Sequence, residues 1–115
     1  MSHAGFHPVW IKEPTVARIL RRCEKAMQHA KRRVVDPMLG AGEDRGGLQR
    51  FGGPLWMDWD NLLPIPGINQ LVGHTASEDV RKKITPESRN FCLDVGNASV
   101  AAILSNGKLK ILKRA

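Results

Sequence analysis

The chain has 115 residues, the length of one domain, and its 42% hydrophobic content is enough for a core. No apolar run approaches the ~20 residues needed to cross a bilayer, and no charged-then-apolar leader opens the chain, so a soluble, cytoplasmic protein without a membrane partner is expected. A net charge of +7 invites a nucleic-acid partner, although a charged helix is also an ordinary solvated face.

In chain order, Ser2-His3-Ala4-Gly5-Phe6-His7-Pro8 places a histidine before two small residues. From Thr15 to about Arg33, Val16, Ile19, Leu20, Cys23, Met27 and Ala30 recur at spacings of three and four. They predict an amphipathic helix with one buried stripe. Pro14 or Thr15 suits its first turn, and Lys31-Arg32-Arg33 complements the negative end of its dipole. Much of the positive charge lies on this segment, in Arg18, Arg21, Arg22, Lys25, Lys31, Arg32 and Arg33, with Lys108, Lys110, Lys113 and Arg114 forming a second group.

Asp36 to Gly67 is rich in glycine and proline and cannot hold a long element, while Leu55, Trp56, Trp59, Leu62 and Leu63 argue for an ordered loop. One helical turn is expected near Asp58 to Leu63, with Asp58 and Asp60 serving turn chemistry. Arg45 and Arg50 lie in this loop and read from the residues as exposed loop arginines.

Ile68 to Gly73 reads as a short strand, and Leu71-Val72-Gly73-His74-Thr75 carries it into a glycine, where the backbone can turn, and then a histidine. Strand exits are where open α/β sheets keep their chemistry, and an imidazole there can serve a metal or a phosphoryl oxygen. Gly73 would remove the side chain that crowds that approach.

Thr75 to Ser88 reads as a polar surface connection. Arg89 to Val95 alternates, with Phe91, Leu93 and Val95 on one face, and the apolar run Ala98 to Leu104 suits a strand covered on both sides. Asn106-Gly107 signals a two-residue hairpin, completed by Lys108 to Lys113. Cys23 and Cys92 are isolated and read as reduced core thiols, and His7 and His29 as a loop and a helix-surface residue.

The His3-Ala4-Gly5 segment, the Gly73-His74-Thr75 segment and the flanking Gly53-Pro54-Leu55-Trp56, Pro66-Gly67-Ile68-Asn69-Gln70 and Cys92-Leu93-Asp94-Val95-Gly96 together resemble the C-terminal half of the calcineurin-like metallophosphoesterases. That family includes the bacteriophage-type serine/threonine protein phosphatases and the diadenosine tetraphosphatases. The resemblance implies an α/β fold, the C-terminal half of a four-layer α/β/β/α sandwich, with residues 1–115 as one partial domain. It implies that His3 and His74 ligate the same metal ion of a dinuclear centre, of manganese, iron, nickel or zinc, that hydrolyses phosphoesters. It also makes Arg45 and Arg50 the candidate phosphate contacts. The family's Asp-x-His, Gly-Asp-x-x-Asp-Arg and Gly-Asn-His-Asp/Glu motifs are absent. Gly42-Glu43-Asp44-Arg45-Gly46 has the letters of the second without its spacing, and Gly96-Asn97-Ala98 lacks the histidine of the third.

The expectation is therefore a chain truncated at its N-terminus, with no catalytic residue of its own, dinuclear only with the missing half and inactive alone, that half being a partner in trans. Two other classes stand beside it: a small basic nucleic-acid-binding protein using the Arg18 to Arg33 face, and a non-catalytic structural remnant.

Overall fold

In the computed structural model, which describes residues 1–96, 99–103 and 105–113, the chain forms one helix, a three-stranded mixed sheet and a separate two-stranded hairpin. The helix, α1, runs Val16–Lys31 and starts where Thr15 accepts the Arg18 N–H through its hydroxyl. The strands are β1 Gln70–Val72, β2 Arg81–Ile84, β3 Arg89–Cys92, β4 Ser99–Ile103 and β5 Leu109–Lys113. The sheet order is β1-β3-β2, with β1 parallel and β2 antiparallel to β3. The fold is thus mixed α/β. No helix among the described residues is long and apolar enough to cross a membrane.

The register decides what the sheet turns inward. Gln70 and Val72 pair with Asn90 and Cys92, and these pair in turn with Lys83 and Arg81. All six share one face, because successive side chains of a strand point to opposite sides. The four on β1 and β3 are buried, whereas Leu71 and Phe91 on the outer face are only half-buried. The segment expected to be a plain polar connection therefore contains β2. Its pattern Arg-Lys-Lys-Ile hides the strand, since the inward residues are cations. Lys83 stands in the core face because Nζ donates to the carbonyls of Trp59, Asp60 and Leu62 at 2.8, 3.0 and 2.8 Å. Those carbonyls close the 3-10 turn Trp59–Asn61, the turn expected near Asp58, which Asp58 caps by accepting the Asp60 N–H. Burial lowers the Lys83 pKa.

Two apolar clusters form the core: Ala4, Met57, Trp59, Leu62, Val72 and Cys92 in one, Phe6, Ala26, Met38 and Ile65 in the other. The N-terminal segment runs between them, with Ala4 in the first and Phe6 in the second. Gly5 lies at the crossing with φ 112°, and a Cβ there would come within 2.7 Å of Leu62 Cδ1 and 2.8 Å of Met57 Cε. No other residue fits that backbone and that space together.

Helix α1 departs from its expected burial. Ala26 is its one buried residue, Ile19 and Cys23 are half-buried, and Val16, Leu20, Met27 and Ala30 are exposed. The helix is rolled so that the small Ala26 meets the core and the polar Arg22 and His29 reach Asp36. Both Asp36 oxygens accept from Arg22, at 2.6 and 2.8 Å, and one also accepts from His29 Nδ1 at 2.9 Å. Asp36 in addition accepts the Met38 N–H, capping the 3-10 turn Pro37–Leu39. His29 is thus part of a buried anchor and not a plain surface residue.

The hairpin also differs from expectation. The register that pairs Ile103 with Leu109 puts an odd number of positions between the strands, so the hairpin does not close on a two-residue turn at Asn106-Gly107. Gly107 takes φ 75° and Asn106 Oδ1 accepts the Lys108 N–H. Ile103 is 63% exposed, and among the described residues β4 pairs with β5 alone. The expected strand ends at Ala98 and Leu104, the Asn97 of the Gly96-Asn97-Ala98 segment and the basic Arg114 lie outside the described residues. Both cysteines are free thiols, Cys92 buried and Cys23 half-buried.

The Arg22 hydrogen bonds hold the Asp36 carboxyl well below the usual carboxylate range, against the opposing effect of burial. A depressed folded-state pKa contributes stability that is present above the unfolded value, about 3.9, and is lost as pH falls below it. Asp36→Asn is expected to destabilise the fold by about 3 kcal/mol, since it strands a partly buried guanidinium, and to flatten the loss of stability below pH ~4. Urea melts of both proteins between neutral and acid pH check this. Equal stability at neutral pH would show that the pair does not anchor the helix.

Candidate functional site

Three contacts place the N-terminal segment along β1. The Gln70 side chain brackets one residue, accepting the Phe6 N–H at 2.8 Å and donating to the Phe6 carbonyl at 3.1 Å. Ser2 N–H donates to Leu71 O at 3.1 Å, and Gly73 N–H donates to His3 O at 2.8 Å. The strand exit and the chain start are thereby held side by side. As a result His3 Nε2 lies 2.9 Å from His74 Nδ1, although 71 positions separate the two residues. Their ring centres are 4.6 Å apart at 60°.

His74 has φ 71°, the left-handed region, which costs a non-glycine residue about 1 kcal/mol. The sharp turn expected at Gly73 therefore falls on the histidine itself. A Cβ on Gly73 would meet only His3 O at 3.7 Å, so the packing of the chain does not require glycine there. The rigid surroundings hold the strained residue. Arg45 Nη2 donates to His74 O at 3.3 Å and to Thr75 Oγ1 at 2.6 Å, and Arg45 Nε pairs with Asp58 at 3.0 Å. Thr75 Oγ1 also accepts the Trp59 N–H at 3.0 Å. The half-exposed Trp56 ring meets His74 edge to face at 5.1 Å.

Of the four expected site residues, the fold brings three together: His3, His74 and Arg45. Arg50 lies instead over the Phe51 ring, 5.2 Å from its centre, and makes no hydrogen bond to either histidine among the described residues. The opposite neighbour of that arrangement is His7, which is buried, stacked on Phe51 at 4.1 Å, and accepts the Val9 N–H through Nδ1. His7 is therefore a packed capping residue and not a loop histidine. Thr75 and Asp58 were missed as supports of His74. The Gly-His-Thr segment contains the threonine, but its role as an acceptor for Arg45 depends on a loop 30 residues away.

The two facing nitrogens have a spacing a cation can use. Neighbouring ligands on an ion with bonds of about 2.0–2.1 Å lie about 3 Å apart, and imidazole is a suitable donor for manganese, iron, nickel or zinc. The other ring nitrogen of His74, Nε2, is buried without a partner among the described residues. No group of three or more histidine, cysteine, aspartate or glutamate side chains among the described residues can hold a metal, so the pair alone would form part of a coordination shell. No family model matches the chain, and no curated protein and no solved structure matches it either.

Burial lowers the His74 pKa, and the nearby charges of Arg45 and His3 push it further down. The ring is therefore expected to titrate below the ordinary histidine value, about 6.5, in an NMR pH titration. Titration at or above that value would show that the ring is solvated and not wedged between Trp56, Arg45 and His3.

Proposed function

We propose that this chain is the C-terminal part of a calcineurin-like, metal-dependent phosphoesterase, in which His3 and His74 give two imidazoles to one ion of a dinuclear centre. The observation that carries the reading is the meeting of these two histidines at 2.9 Å, each from one of the two segments that resemble the family's ligand motifs. The left-handed backbone at His74 supports it, since strain of this kind concentrates at functional sites. In the proposed whole enzyme, the finer architecture is half of a four-layer sandwich, and the remaining ligands and the acid come from residues outside this sequence.

When bound, a metal pair generates a hydroxide and neutralises charge on the phosphoryl oxygens. The chain's own residues position that chemistry. Arg45 fixes the backbone of His74 and the hydroxyl of Thr75. With Nη2 engaged on His74 O and Thr75 Oγ1, the rest of the Arg45 guanidinium would meet a phosphoryl oxygen, while Arg50 would serve at the periphery. A planar guanidinium matches phosphate geometry better than an ammonium does. The substrate class is a phosphoester.

Zinc titrated calorimetrically into the isolated chain is expected to bind weakly, with binding lost in His3→Ala and in His74→Ala. An aryl phosphate is expected to remain uncleaved with manganese, because two imidazoles do not build a dinuclear site. Zinc binding unchanged in both variants would overturn the ligand assignment. Manganese-dependent turnover abolished by His74→Ala would overturn the incompleteness of the site.

A further inference from the structure

His7 is an imidazole that the phosphoester reading does not use, and it is 4% exposed. Its two nitrogens are not equivalent. Nδ1 accepts the Val9 N–H at 3.0 Å, so the neutral ring keeps its single proton on Nε2. Nε2 is itself buried, with no hydrogen-bond partner among the described residues. A second proton therefore has one place to go, which is Nδ1. There it would set an N–H against the N–H of Val9 and remove the cap of the 3-10 turn Pro8–Trp10.

The surroundings oppose the charge as well. The His7 ring stacks on Phe51, 4.1 Å between centres at 15°, and the Arg50 guanidinium carbon already stands 5.2 Å from the centre of that phenyl ring. An imidazolium would be buried and would share one aromatic ring with another cation. Arg50 is the charged group that acts on His7, and no carboxylate among the described residues offsets it. Burial first, and Arg50 after it, hold the His7 pKa below the ordinary histidine value.

What His7 holds is the join between two stretches far apart in the chain. Its stack on Phe51, together with the Trp10 indole N–H that donates to Gly52 O at 3.1 Å, fastens residues 7–10 to residues 51–52. No backbone hydrogen bond among the described residues crosses this join. The attachments on either side do not depend on it, since Gln70 brackets Phe6 and Asp36 anchors α1 through Arg22. A join with so few bonds belongs to the part of a fold that opens locally before the core does.

We propose that His7 is the pin of an acid-released latch: a proton on Nδ1 parts the Pro8–Trp10 turn from Phe51 and Gly52 and exposes both aromatic rings, while the rest of the fold stays closed. The device is separate from the histidine pair and stands whether or not the chain serves phosphoester chemistry.

The sign of the effect follows from linkage. A histidine with a lowered pKa in the closed form stabilises that form fully above the open-state value, about 6.5, and progressively less as pH falls below it. The open form takes up a proton that the closed form refuses, so the opening constant rises about tenfold per pH unit in that range. Asp36 loosens only at more acid pH, below about 3.9. His74 also has a lowered pKa, so a His7 variant is needed to separate the two.

Hydrogen exchange of the whole chain, followed by NMR from about pH 7.5 to about pH 5, reads the opening directly. Protection of the Val9 amide and the Trp10 indole N–H is expected to fall about tenfold per pH unit below ~6.5, while the Phe6 and Met38 amides keep theirs. His7→Asn retains a side-chain acceptor for the Val9 N–H but takes no charge, and is expected to remove the pH dependence. Arg50→Gln, at an exposed position, is expected to make the loss of protection level off at higher pH, because the closed form then accepts the proton more readily. Four outcomes would overturn the proposal. The first is protection of Val9 and Trp10 that ignores pH in the parent, and the second is the same pH dependence in His7→Asn. The third is simultaneous loss at Phe6 and Met38, which makes the event global unfolding. The fourth is an unshifted profile in Arg50→Gln, which decides the matter even if His7→Asn does not fold.

Discussion

Everything at the proposed metal site depends on one amide. Gln70 sits in the buried face of β1 and gives both halves of its side chain to the backbone of Phe6. A glutamine in a core is costly unless its carbonyl and amino groups are bonded, and a backbone N–H and C=O without partners are equally costly. Each solves the other's problem, so the N-terminal segment is fixed to β1 in one register. From that register follow the insertion of Ala4 and Phe6 into the two apolar clusters, the requirement for glycine at position 5, and the arrival of His3 beside His74. A slip of one residue would separate the rings and put Gly5 where a side chain is needed.

The second constraint is that the histidine pair is held from behind by charge. Lys83 and Arg81 project from β2 into the side of the sheet that covers Trp59, with Lys83 Nζ 5.1 Å and the Arg81 guanidinium carbon 5.8 Å from its ring centre. Lys83 ties down the carbonyls of the Trp59 turn, and the Trp59 N–H ties down Thr75. Arg81 donates to Thr75 O as well. Thr75 is therefore fixed from both sides, and the residue before it, His74, takes up the turn. The strain at His74 is tolerated because its neighbours allow the backbone no alternative.

The parts of this arrangement legible in the sequence are those written in local pattern or in motif. Helix α1 follows from its spacing of apolar residues, the strand β1 from its apolar run and the histidine pair from the two segments that carry it. The alternation from Arg89 to Val95 located β3 but not its end at Cys92 or its inward face, which is Asn90 and Cys92. Which side of α1 faces inward was not legible, because the apolar arc from Ile19 to Met27 is wider than the surface it covers, and the choice is made by Asp36 reaching Arg22 and His29 across a loop. Strand β2 was hidden because its inward residues are cations, satisfied by carbonyls 21 to 24 positions away. The distinction between Arg45 and Arg50 was equally hidden. Both lie in the same glycine-rich loop, and only its folded path sends one to Thr75 and the other to Phe51.

The central claim is that His3 Nε2 and His74 Nδ1 converge on one cation. Anomalous scattering from crystals of the chain grown with zinc tests it most directly. The account predicts a single peak about 2.0–2.3 Å from both nitrogens, with Gln70 still bracketing Phe6. A peak bound elsewhere, or the two rings turned apart with no ion between them, would contradict it.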